Sequence, residues 1–300
     1  METTTDTSPL IDKVSALTEG EQELLTQMIN RGARDREKLG DFSEVSLVAN
    51  ALKTHATDSY SGFENIQSKK APAFTKSYPD AKKVQLPEPS LDVEGAFSPK
   101  DATFERILKA RSSRRDYSGE PISTAQLSAL LHYGFGVRGD MAAYNHRSMP
   151  LRFAPTAGGL QSPELYVAVN AVEGVEQGIY HYDPIANALE LIDQGNVRWR
   201  LVDMCRSYAW IAQSSVVLFV SSMITRLEWK YGRRAYRMSH LDCGIVAQNL
   251  HLSATRLALP SCLVMGFDDD EINDALGLDG RAESVNMLVT VGRPAPKTPR

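Results

Sequence analysis

"RSSRRDYSG", Arg111 to Gly119, places three arginines and two serines in its first five positions and then adds Asp116 and Tyr117. Guanidinium groups this close repel one another unless something negative sits among them. The chain has 300 residues and a net charge of −4, so the cluster answers a local need. Arginine offers a planar fork that matches phosphate oxygens, and serine adds a short donor. Arg111, Ser113 and Arg115, at alternate positions, can converge on one small anion. The competing reading is a solvated basic turn paired with Asp116 and Glu120.

The rest of the composition narrows the classes. With 42% hydrophobic and 23% charged residues the chain can bury a sizeable core without staples. The acidic balance argues against nucleic-acid binding and against a membrane-surface role. Cys205, Cys243 and Cys262 form neither a disulfide framework nor a zinc pattern, and they fit a reducing cytoplasm. His132, His146, His181, His240 and His251 show no metal spacing, so no metal is expected. The start METTTDTSPL lacks a charged region and an apolar region, so no signal peptide is expected. Apolar runs such as Val216–Val220 are too short to span a bilayer.

Residues 1–100 read as an N-terminal helical segment and an extended wrapping arm. Thr18 with Glu21 fits a capping box for a helix over Thr18–Arg36, and Ser43 starts a second helix to His55. From Thr54 to Lys100 the text is polar, proline-rich and aperiodic. Residues 101–300 read as the main domain. Helices are predicted over Phe104–Ser112, from Ser123 or Thr124 to near Gly134, over Ser239–Leu257, and from the Asp268–Asp270 cap to before Gly277. The Ser239–Leu257 helix is expected to bury Leu241, Ile245 and Leu252, with Leu259 just beyond. Strands are predicted at Glu164–Val172, Gly178–Tyr182, Ala188–Ile192, Val216–Val220 and Val285–Val291. The elements mix without βαβ alternation, so the class is α+β. Neither a GxGxxG nor a GxxxxGK[ST] motif is present.

Three further stretches carry chemistry. Pro155-Thr156-Ala157-Gly158-Gly159 lets backbone approach a flat ligand, or is a tight turn before a strand. Gly292-Arg293 ends the last strand with a turn and a cation, or with an ordinary surface arginine. Glu228–Arg237 sets Lys230 beside Tyr231 in a basic, aromatic run, which is either a proton-handling pair or a solvated loop.

Taken in order, these stretches resemble the nitroreductase superfamily of FMN enzymes, and within it the SagB-type branch that holds azoline dehydrogenases. Arg111–Tyr117 is similar to the family's R-[RS]-S-x-R-x-[FY] signature, and Pro155–Gly159 to its P-S-A-G-G loop. Tyr236-Arg237-Met238, Asp242-Cys243-Gly244, Gln248-Asn249-Leu250, Gly266-Phe267-Asp268 and Val291-Gly292-Arg293-Pro294 resemble later motifs of the branch. The resemblance covers about residues 55–300.

The resemblance implies a central, mostly antiparallel sheet wrapped by helices, with a C-terminal strand and an active site at a homodimer interface. It implies that Arg111, Ser112, Ser113, Arg115 and Arg293 hold the FMN phosphate and ribityl region, and leaves Arg114 to pair with Asp116 or Glu120. It places Pro155, Thr156, Ala157, Gly158 and Gly159 against the isoalloxazine from the neighbouring subunit, with Gln248, Gly266 and Gly292 also at the cofactor. It assigns proton removal to Lys230 and Tyr231, with Arg226, Arg233, Arg234 and Arg237 expected to ease deprotonation. The implied activity is azoline-to-azole oxidation of a peptide-derived or carrier-bound substrate in natural-product biosynthesis, with a partner biosynthetic enzyme possible. Two alternatives remain: an NAD(P)H-dependent nitro, quinone or ene reductase, and a docking subunit using the N-terminal helices. One departure bears on substrate: Gln161 stands where the branch usually has an aromatic.

Overall fold

The computed structural model describes residues 70–296. The two helices expected within Thr18–His55 lie outside the described residues. Seven strands form one sheet: β1 (Lys83–Gln85), β4 (Pro163–Val169), β5 (Gly178–Asp183), β6 (Ala188–Gln194), β7 (Val216–Met223), β8 (Ser261–Val264) and β9 (Glu283–Val291). Their order is β1-β6-β5-β4-β7-β9-β8, and every neighbouring pair is antiparallel. A separate hairpin joins β2 (Val137–Ala143) to β3 (His146–Arg152).

Strand periodicity explains the two cores. Leu165, Val167 and Val169 of β4 face one side, and Tyr166 and Ala168 the other. β7 alternates likewise, Leu218 and Val220 opposing Val217 and Phe219. The first face packs under α2 (Thr124–Phe135) and the long α5 (Ala235–Arg256). The second packs under α3 (Arg198–Met204) and α6 (Asp269–Leu276). With both faces covered, β7 is a continuous apolar run rather than an alternating one. The α+β class and the helix-wrapped antiparallel sheet are therefore as expected.

Local signals set several boundaries. Ser123 and Gln126 form a reciprocal capping box at α2. Asp268 caps α6, and Gly277 ends it in the left-handed conformation at φ 68°. α1 (Phe104–Ala110) ends at Arg111, and the strand predicted over Glu164–Val172 ends at Val169. The proline-rich arm supplies β1, which pairs with β6 at the sheet edge.

Two expectations are corrected. The basic run Glu228–Arg237 is not a loop: α4 (Ile224–Tyr231), a 3-10 turn at Gly232–Arg234 and the first residues of α5 occupy it, and α5 begins at Ala235 rather than Ser239. The buried face of α5 is also not the predicted one. Leu241 and Ile245 are 60% and 38% exposed, whereas Ser239, Asp242, Cys243, Val246, Ala247, Leu250 and His251 are buried. The face against the sheet carries Cys243, Val246, Ala247 and Leu250, and of the expected set Leu259 is buried while Leu241 and Ile245 are not.

Candidate active site

Two clusters hold the residues singled out from sequence, and α5 anchors both. The first runs from the end of α1 along the β8 edge. Ser113 bridges to Ser261 in parallel, and the Arg114 amide donates to the Ser261 carbonyl at 2.9 Å. Further on, the Ser118 amide donates to the Arg293 carbonyl at 3.0 Å. The segment is therefore zipped between β8 and the chain leaving β9, with Ser113 beside Ser261 and Ser118 beside Arg293. His251 of α5 lies 3.2 Å from the Ser112 carbonyl, which accepts from its Nε2–H. Burial lowers the His251 pKa, and the Arg111 charge adds to that.

The charges sort themselves. Arg114 takes Asp116 at 2.6 Å, as the sequence suggested. Arg111 and Arg115 have no ion pair among the described residues. The Arg115 guanidinium lies 5.6 Å from the centroid of the Trp210 ring, and Trp210 stacks on Tyr208. Arg115, Tyr208, Trp210, Cys262 and Gly266 line a cavity of about 270 Å³. Arg293 lies 3.9 Å from Glu120. Gly292 has a packing reason: a Cβ there would meet the Tyr117 ring at 2.9 Å and the Ser215 amide at 3.1 Å.

The second cluster forms around the glycine loop. Ala157–Gly159 is a 3-10 turn in which Gly158 and Gly159 hold φ 60° and 68°. Asp242 of α5 fixes it, accepting from the Ala157 amide at 2.9 Å and from the Ser162 hydroxyl at 2.7 Å. Burial pushes the Asp242 carboxyl up, those two bonds opposing it. Thr156 accepts from the Gln161 amide at 3.2 Å, and Pro155 is exposed. Gln248 lies between the two anchors on the exposed side of α5. Gln161 is buried and donates from its side chain to the Pro150 carbonyl at 2.8 Å.

Gly158 is where Lys230 and Tyr231 arrive. A Cβ on Gly158 would lie 2.5 Å from the Tyr231 hydroxyl, 3.1 Å from that of Tyr144 and 3.2 Å from Lys230 Nζ. Lys230 Nζ donates to the Tyr144 hydroxyl at 2.8 Å, and that hydroxyl donates to the Gly158 carbonyl at 2.6 Å. Beneath them Phe74 of the arm, Met149, Leu160, Leu227 and Ala235 make a third apolar cluster.

Lys230 departs from expectation. Burial works against its charge, but the bond to Tyr144 and the two neighbouring phenols outweigh it, so its pKa is raised. Arg226 does not act on it as supposed. It is buried, ion-paired with Glu164 at 2.6 Å, and donates to the Gln161 carbonyl at 2.6 Å. The Lys230 environment thus favours its charged form.

One position, Tyr144, escaped the sequence reading, and Asp242 and His251 were named there without a role. Tyr144 shares a two-residue hairpin turn with Asn145, both left-handed at φ 52° and 64°. Asn suits that turn, but Tyr gives no signal for it, and the conformation costs a side chain about 1–2 kcal/mol. Asp242 and His251 matter only through what α5 packs against.

The nitroreductase family model matches residues 108–293, which spans both clusters. The chain belongs to the nitroreductase family. A nitroreductase-like protein of Methanocaldococcus jannaschii is 31% identical over 71% of this chain and 98% of its own length. The trifolitoxin-processing protein TfxB of Rhizobium leguminosarum bv. trifolii is 28% identical over 48% of this chain and 40% of its own length. Among solved structures, a chain of the E. coli microcin synthetase McbBCD complex, with truncated pro-MccB17 bound, shares the fold. Its TM-score is 0.57 at 19% identity, covering 95% of this chain and 98% of that one. The nitroreductase-family assignment makes the protein an oxidoreductase, and nitroreductases typically bind FMN. Among the described residues no helix is long and apolar enough to cross a membrane.

Proposed function

We propose that this nitroreductase-family protein is an FMN-dependent dehydrogenase. It removes two hydrogens from an azoline-type ring in a peptide-derived or carrier-bound intermediate of natural-product biosynthesis. The observation that supports the reading is the meeting of Lys230, Tyr231 and Gly158, a proton-handling pair packed against an exposed glycine turn. The similarity to the trifolitoxin-processing protein supports the biosynthetic setting and a partner enzyme.

The residues present fit FMN. Arg111 and Arg115 are cations with no carboxylate partner among the described residues, and Ser112 and Ser113 lie between them. That donor set suits a phosphate, with Arg293 joining it. Gly158 is exposed, Gly266 lines the cavity beside Arg115, and Gln248 lies on the exposed side of α5. When bound, FMN supplies a two-electron acceptor. The chain's own work is to hold the phosphate, to present the Pro155–Gly159 loop, and to take the ring proton at Lys230–Tyr231. Two copies form the site, the loop of one facing the flavin held by the other. Of the described residues, 101–296 form the flavin domain and 70–100 its wrapping arm.

An absorbance spectrum of the purified protein, an anaerobic NADPH titration and aerobic incubation with a thiazoline-containing peptide test this. A yellow protein that resists bleaching by NADPH and converts the peptide to its thiazole is expected. A colourless protein that stays apo after FMN addition refutes the cofactor. Rapid bleaching by NADPH without peptide oxidation refutes the oxidative direction.

A further inference from the structure

Tyr144 stands at the tip of the β2–β3 hairpin, outside every motif that pointed to the site. Its hydroxyl is engaged on both sides, donating to the Gly158 carbonyl at 2.6 Å and accepting from Lys230 at 2.8 Å. Its ring meets Trp229 edge-on, centroids 5.3 Å apart at 90°, and leans on Phe74 of the arm. Lys230 Nζ rides 4.9 Å from the centre of the Tyr144 ring and 5.3 Å from that of Tyr231. The bond from Lys230 to the Tyr144 phenol favours the lysine's charged form. Of the two phenols, Tyr231 is the one whose hydroxyl presses against the Gly158 α-carbon, at 2.5 Å from a Cβ position.

We propose that Tyr144 is a positioning residue of this site. Its doubly engaged hydroxyl fixes the Lys230 ammonium between two phenols, so that Tyr231, not Lys230, exchanges the substrate proton. The inference rests on the role proposed above for the Lys230–Tyr231 pair. The proton passes from the substrate carbon to the Tyr231 oxygen and from there to water, with the Lys230 ammonium held against both phenol rings. Three other titratable groups nearby have contacts of their own. Asp242 of α5 holds the Ala157 amide, Arg226 lower on α4 faces Glu164, and His146 of β3 lies against Phe74. Arg234 and Tyr236 follow on the next turn.

The test needs no substrate. The full-length, flavin-loaded protein is labelled with 13Cζ-tyrosine, and the Tyr231 signal is assigned by its loss in Tyr231→Phe. Its titration is then followed in wild type, Tyr144→Phe and Lys230→Met. Tyr144→Phe keeps the ring contacts and removes only the hydroxyl that tethers Nζ. The Tyr231 midpoint is expected to rise by about half a pH unit or more in Tyr144→Phe, and further in Lys230→Met, with flavin content retained. A midpoint that is unchanged or lower in Tyr144→Phe, while Lys230→Met raises it, overturns the role of Tyr144 and leaves the pair standing. A midpoint unmoved in both variants overturns the pair itself. Should Tyr144→Phe not accumulate, Tyr144→Trp, whose indole N–H donates but cannot accept, is expected to raise the midpoint likewise, and no rise there overturns the proposal.

Discussion

Replacing Gly158 by alanine isolates the contribution of the Lys230–Tyr231–Tyr144 cluster, because Gly159 offers a matched control. Both glycines are left-handed, at φ 60° and 68°, so an alanine at either carries about 1–2 kcal/mol of backbone strain. For a chain of this size that is a fall of roughly 2–8 °C in Tm. The neighbours differ. At Gly159 the new methyl meets only the mobile end of Met149, at 3.0 Å. At Gly158 it meets the Tyr231 hydroxyl at 2.5 Å, with Tyr144 and Lys230 behind at 3.1 and 3.2 Å. A carbon–oxygen contact relaxes at about 3.3 Å, so the Tyr231 hydroxyl must move by roughly 0.8 Å. Misplacement of about 1 Å at a reacting group costs on the order of 100-fold in rate. Both variants should therefore lose similar stability by thermal melting and retain flavin. Only Gly158→Ala should lose about two orders of magnitude in thiazoline-peptide oxidation. Equal turnover in the two variants would refute the placement of the reacting groups at Gly158.

The remaining predictions concern charge. Glu164→Gln removes the carboxylate that pairs with Arg226 and leaves that buried guanidinium without its partner, so urea unfolding should show a loss of about 3–5 kcal/mol at neutral pH. Burial alone would raise the Glu164 and Glu190 carboxyls, but Arg226 at Glu164, and Lys83 with His181 at Glu190, outweigh it and hold both pKa values below normal. Their stabilisation is thus complete above the unfolded carboxylate pKa, near ~4.3, and is lost as pH falls below it. Urea midpoints measured from pH 7 to pH 3 should show the drop beginning there, and a flat profile would refute it. Arg111→Ala should weaken FMN binding to the apoprotein by roughly 10- to 100-fold, the worth of a charge-assisted hydrogen bond. Arg114→Ala, which loses only an exposed pair with Asp116, should leave fluorescence-monitored FMN binding nearly unchanged.

Much of the fold was legible because its signals are local. The Ser123 and Asp268 caps, the turn between β5 and β6, and the unbroken apolar run of β7 each state their element within a few residues. The β2–β3 hairpin was not legible. Most of its residues are exposed, so it carries little apolar alternation, and Tyr144 enters its turn against its own preference. α5 misled for a different reason. Its core face, Cys243, Val246, Ala247, Leu250 and Ala254, is interrupted by polar residues and small ones, while the larger Leu241 and Ile245 look outward. The motif residues of the site were readable as short strings. What the strings omit is their support: Asp242 under Ala157, His251 under Ser112 and Tyr144 on Lys230 are contacts over 85, 139 and 86 residues of sequence.

Because Asp242 and His251 sit on one continuous helix, the offset between the two halves of the site is counted in residues rather than shaped by loops. Nine positions along α5 amount to about 13.5 Å of rise and two and a half turns. Adding or deleting a single residue between them would slide one anchor by about 1.5 Å and swing it by roughly 100° around the axis, off the backbone it holds. Substitutions on the exposed side of that span can drift, but its length cannot. An Asp-x8-His spacing inside a long helix, downstream of an arginine-serine string and a double glycine, is therefore a searchable signature for chains built to the same gauge.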